Sequence, residues 1–187
     1  TLMADGPVFW HHGLFLQPQH FQLSDRVMVE ALGPLLGAVR PWFWGVAGAD
    51  VDLGALAAGR LDFTRLSLLF PDGQGLLAEY PGNSVLMGRQ IPADAIPAGS
   101  GMTVYVGQRG IKPGEPNVTQ AETPSDMAAA PTRWAVPAEP ESLPDLYDAG
   151  PTAQVRRLKN VLRIVFENEV EQMGDHSLVA VTRILRE

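Results

Sequence analysis

Apolar residues near the amino terminus recur at helical spacing. After Pro18, the positions Phe21, Val27 or Met28, Ala31 and Leu35 predict a helix from Pro18 to Leu32, with Pro suited to its first turn and Gly33-Pro34 marking its end. Val8-Phe9-Trp10 ahead of it reads as β-prone. From Pro41 onward the period shortens. Trp42 to Leu53 and Arg60 to Phe70 read as strands, the second with Leu61, Phe63, Arg65 and Ser67 alternating against Asp62, Thr64, Leu66 and Leu68. Pro71-Asp72-Gly73 predicts a turn, because Pro presets φ and Gly accepts a positive one, and a return strand over Gly75 to Tyr80 follows. Met102 to Gly107 is β-branched and aromatic, the pattern of a core strand. Leu158 to Phe166 fits helix or strand equally, whereas Leu178 to Ile184 is a strand. Gly174-Asp175 between them favours two paired strands.

Composition sharpens this picture. With 19 Gly and 16 Pro among 187 residues, chain-breaking types exceed their roughly 12% average, and charged residues reach only 19%. The expectation is a turn-rich, mainly β protein of one domain. The net charge of −7 disfavours nucleic acid and anionic membranes as general partners. Its placement is uneven: residues 1–112 hold 7 basic and 9 acidic side chains, residues 113–150 hold 1 and 7, and residues 151–187 hold 6 and 5. Residues 113–150 also carry seven prolines, so they read as a long extended or mobile excursion with little room for helix or sheet interior. No stretch of 18 apolar residues occurs, and Thr1 to Phe9 lacks the basic and apolar regions of an export signal. The reading is of a soluble protein, unprocessed at this end.

Candidate chemistry is sparse. Without cysteine there are no disulfides, thiolate metal sites or thiol nucleophiles. His11 and His12 would point to opposite faces of a strand, with no carboxylate at a metal-site spacing. Asp50 and Asp52 share one face, yet Leu61 stands where a calcium loop needs Glu, so they read as solvated carboxylates. Ser84 and Ser100 lack a nucleophile elbow, and no phosphate-binding glycine motif is present. No catalytic residue, metal or cofactor is assigned. Trp10, Trp42, Trp44 and Trp134 would fill a core or an interface. The alternative is a carbohydrate- or ligand-binding β-sandwich module, which requires a coplanar exposed pair of rings.

The run Trp10-His11-His12-Gly13-Leu14-Phe15-Leu16-Gln17-Pro18-Gln19-His20-Phe21-Gln22 is more distinctive. It resembles the amino-terminal signature of the TssK family of type VI secretion baseplate components, also called ImpJ or VasE. Trp44-Gly45, Gly59-Arg60-Leu61, Phe70-Pro71-Asp72-Gly73, Arg133-Trp134, Ala180 and Arg183-Ile184 agree in order. His12 stands where many family members have an acidic residue, so that carboxylate's role does not transfer. The resemblance implies a β-sandwich similar to the shoulder of phage receptor-binding proteins, forming the amino-terminal domain of a longer, trimeric, cytoplasmic protein at the inner-membrane secretion complex. It implies a non-enzymatic adaptor docking onto a wedge of TssF, TssG and TssE, with TssJ, TssL and TssM met only through a region beyond these residues. Within the signature, Phe15, Leu16 and Phe21 are expected to pin the helix to the sheet while Gln17, Gln19, His20 and Gln22 cap its start. The competing expectation assigns partner contact to Phe15, Gln19, His20, Phe21 and Gln22.

Overall fold

A computed structural model describes residues 7–39, 44–71, 77–145, 147 and 150–186, and of residues 33–39 the backbone alone. In chain order the elements are helix α1 (Pro18–Val39), β1 (Gly45–Val51), α2 (Leu53–Ala57), β2 (Arg60–Leu61), β3 (Phe63–Leu69), β4 (Ala78–Tyr80), β5 (Ser84–Leu86), β6 (Arg89–Gln90) and β7 (Gly101–Arg109). There follow β8 (Val118–Ala121), α3 (Pro124–Ala129), β9 (Trp134–Pro137), β10 (Glu141–Leu143), β11 (Ala153–Val155), β12 (Lys159–Phe166), a 3-10 helix (Glu167–Gln172) and β13 (His176–Leu185). The protein is mainly β with one long amino-terminal helix.

Two sheets face each other across one core. A three-stranded sheet, β1-β3-β4, supplies Phe63, Leu66, Leu68 and Ala78. A six-stranded sheet, β13-β7-β12-β9-β8 with β5 beside β12, supplies Val104, Val106, Leu162, Ile164, Phe166 and Val179. On the outer face of the large sheet, Val161 packs with Ala130 and Ala135 near Met127 of α3. β12 is therefore buried on both sides, and this explains its almost unbroken apolar run.

Several expectations give way. Val8-Phe9-Trp10 is irregular, and α1 runs through Gly33-Pro34 to Val39. The strand expected over Trp42 to Leu53 is shorter: Trp44 precedes it, and Leu53 opens α2, whose amino terminus Asp52 caps with bonds from the Gly54 and Ala55 amides at 2.9 and 3.0 Å. The simple alternation over 60–70 fails at Thr64. A bulge there pairs Val51 with Phe63 but Asp50 with Arg65, so the inward phase passes from Leu61 and Phe63 to Leu66 and Leu68. The turn at Asp72-Gly73 lies outside the described residues, and the return strand begins at Ala78.

The two carboxy-terminal strands do not pair with each other. β7 separates them, antiparallel to both, and the 3-10 helix carries the chain across. Residues 113–150 are also more regular than proline content implies, holding β8, α3, β9 and β10. Pro124 occupies the first turn of α3, where no backbone donor is needed, and Thr123 caps the Asp126 amide at 3.1 Å. β8 and β9 run parallel, joined by α3 as a small βαβ unit.

Candidate docking surface

The arm before α1 is shaped by a turn. Leu14 N–H donates to the His11 carbonyl at 3.3 Å while Gly13 takes φ +82°, a backbone state that disfavours any side chain. Gln17 precedes α1, its carbonyl accepting the His20 amide at 3.0 Å, with Pro18 in the first helical position. His20 reaches back, its Nδ1 3.1 Å from the Gln17 amide nitrogen and 3.3 Å from the Gln17 carbonyl oxygen. Trp10 folds over this first turn, its ring 6.3 Å from both His20 and Phe21 in tilted geometry.

The aromatic side chains of the signature do not pin the helix to a sheet. Phe15 is 80% exposed and Phe21 53% exposed, and Leu16, Gln17, Gln19 and Gln22 are exposed too. The inner faces of the two sheets are already filled by their own side chains, and Phe21 takes Trp10 as its neighbour instead. Phe21, Met28 and Leu32, spaced by seven and four, form one exposed stripe along α1. With Phe9 81% exposed, the arm and helix present a concentration of uncovered apolar surface that a monomeric protein rarely carries. Residues 7–23 hold no Lys, Arg, Asp or Glu, so the polar side chains there are amides and imidazoles.

The described tryptophans do not form the core. Trp10 and Trp44 are exposed, Trp134 is half-buried with the Arg133 guanidinium 5.2 Å from its ring, and Trp42 lies outside the described residues. The ring neighbours of Trp10 are tilted, not coplanar.

The seeds of catalysis disperse. Asp50 bonds Arg65 at 2.7 Å at the surface, and Asp52 is a helix cap. Ser84 Oγ donates to Asn83 at 2.9 Å and Ser100 Oγ to the Pro97 carbonyl at 2.8 Å, neither beside a base. Among the described residues no three His, Asp or Glu side chains converge to hold a metal.

Two charge clusters escaped sequence reasoning. Arg89 grips Glu169 through two bonds of 2.7 and 2.8 Å, donates to the Ile164 carbonyl at 2.9 Å and lies 4.6 Å over the Phe166 ring. Asp175 is held below the usual carboxylate range, first by Lys112, against a desolvation cost, and then by His176 and Arg109. Arg89 and Glu169 are 80 residues apart and Arg109 and Asp175 66 apart, separations that leave no local signal.

Residues 20–187 match the family model described as bacterial type VI secretion, VC_A0110, EvfL, ImpJ, VasE. The baseplate component TssK1 of Pseudomonas aeruginosa strain PAO1 is 32% identical over 66 residues, covering 35% of this chain and 15% of that protein. A crystal structure of TssK superposes with TM-score 0.79 at 22% identity, over 97% of this chain and 38% of the other. TssK in a cryo-electron microscopy structure of the TssK-TssF-TssG baseplate subcomplex gives 0.79 at 21%, over 97% and 57%. The chain thus shares its fold with TssK and spans well under two thirds of these relatives.

Proposed function

The chain belongs to the bacterial type VI secretion VasE/ImpJ family, and on that premise we propose that it is a structural adaptor of the secretion baseplate, docking onto a TssF/TssG/TssE wedge. The exposed apolar arm and α1 carry this reading: Phe9, Phe15, Phe21 and Met28 offer contact area, and Gln19 and Gln22 offer directed hydrogen bonds beside it. Further support comes from the fold shared with TssK in its subcomplex with TssF and TssG. The adaptor works by binding, without covalent chemistry. It resides in the cytoplasm as part of a longer homotrimer, whose remaining chain meets TssJ, TssL and TssM at the inner membrane. Among the described residues no helix is long and apolar enough to cross a membrane.

Co-purification with the TssF-TssG pair tests this. Phe15→Asp places a carboxylate on the proposed contact and is expected to weaken capture at least about tenfold, with Gln19→Ala weakening it less. Both variants keep the wild-type circular dichroism spectrum, because these side chains are exposed. Undiminished capture by both would refute the assignment.

A further inference from the structure

The large sheet ends in two unlike edges. β13 runs beside β1 of the small sheet. β8, at the opposite edge, has among the described residues a strand neighbour only on its β9 side. Trp134 N–H donates to the Asn117 carbonyl and Ala138 N–H to the Ala121 carbonyl, so odd-numbered residues of this segment turn their backbone groups toward β9. In a parallel strand both polar groups of a residue face the same side, so those of Val118 and Gln120 face outward. No described residue bonds them. The sequence Val118-Thr119-Gln120-Ala121 carries neither proline nor charge, two devices that commonly blunt an edge.

A groove of about 510 Å³ lies between this strand and α3. Its apolar lining is small, with Ala121, Ala129, Ala130 and Ala138, and its charged lining residues, Glu122 and Asp126, are acidic. Asp126 is held in place by the Thr123 hydroxyl at 2.6 Å. The nearby Arg156, Arg109 and Arg163 are turned onto the backbone carbonyls of Ala138, Pro131 and Ala130, each at 2.8 Å, so their charges are engaged behind the lining. The whole segment 113–150 has seven acidic residues against one basic.

We infer that β8 is a second docking site, where an extended basic segment of another protein adds as a strand, its Lys or Arg stems over the alanines and their cations at Glu122 and Asp126. Main-chain bonds to Val118 and Gln120 give the affinity and the acidic rim selects the charge. This surface is separate from the amino-terminal arm, so either assignment can fail alone.

The probe is a fluorescein-labelled decapeptide of alternating Lys and Val, compared with one of alternating Glu and Val, by anisotropy against the whole chain. The basic peptide is expected to bind and the acidic one not. Glu122→Gln combined with Asp126→Asn is expected to weaken binding at least about fivefold, and Gln120→Pro, which removes an outward N–H from no internal bond, at least about tenfold. Phe15→Asp leaves it unchanged. Hydrogen exchange on the wild-type chain supplies a measurement independent of variant folding: the Val118 and Gln120 amides gain protection when the basic peptide is added. Absent binding, binding indifferent to these substitutions, or unprotected amides would overturn the inference.

Discussion

Arg89→Ala removes a side chain that ties β6 to the end of β12 and to the 3-10 helix after it. Three interactions disappear together: the two-bonded pair with Glu169, the bond to the Ile164 carbonyl, and the contact with the Phe166 ring. The Arg89 and Glu169 side chains are 37% and 29% exposed, so solvent screening holds the ion pair to about 1 kcal/mol. The ring contact adds about 0.5–1 kcal/mol and the uncapped carbonyl about 1 kcal/mol. The expected loss is about 2–3 kcal/mol, or about 4–12 °C in Tm for a domain of this size, read by thermal and urea unfolding. Arg89→Lys recovers part of it, since an ammonium cannot span both carboxylate oxygens in one plane. The pH dependence is a second handle. The bond from Arg89 holds the Glu169 carboxyl below its ordinary 4.5, burial opposes this, and the Phe166 amide and the Arg89 charge add to the lowering. A carboxyl lowered on folding stabilises above its unfolded pKa and stops doing so as the pH falls through its folded value. The gap between wild type and Arg89→Ala therefore narrows, by about the 1 kcal/mol of the ion pair, as the pH drops below 4.5, and the share from the Ile164 carbonyl and the Phe166 ring remains. A loss under about 0.5 kcal/mol, the level of an indifferent surface change, or a gap constant with pH would refute this account.

Two further predictions concern buried polarity and capping. Asn160→Ala strands the Gln108 side-chain amide, which is 2% exposed and donates to Asn160 at 2.8 Å, and should cost about 2 kcal/mol in urea unfolding. Replacing both residues by Leu should cost less than the single change, and equal or greater loss in the double variant counts against the argument. Asp52→Ala should cost about 1 kcal/mol by loss of the α2 cap, and Asp52→Asn much less, as measured by shifts in the denaturation midpoint.

What the sequence revealed depended on how local the cause was. β7 was legible because Met102, Val104 and Val106 point inward within one uninterrupted strand. The phase over Arg60 to Phe70 was not, because the bulge at Thr64 is set by pairing with β1. A hairpin of β12 and β13 was a fair local inference, defeated by β7 from far upstream. Prolines misled where position cancels their cost, as Pro124 does in the first turn of α3 and Pro137 at the end of β9. For the arm, the motif around Pro18 marked the place, and only geometry showed that Phe15 and Phe21 stay uncovered.

The arrangement of β7 between two late strands also bears on how the molecule is made. A ribosome releases Gly101–Arg109 well before Lys159–Phe166 and His176–Leu185, so β7 emerges with both its flanks bare. Nascent chains halted in that interval would display the Val104 and Val106 ribbon to their neighbours. Prompt completion of synthesis, or a chaperone guarding that ribbon meanwhile, is thus a requirement written into the strand order.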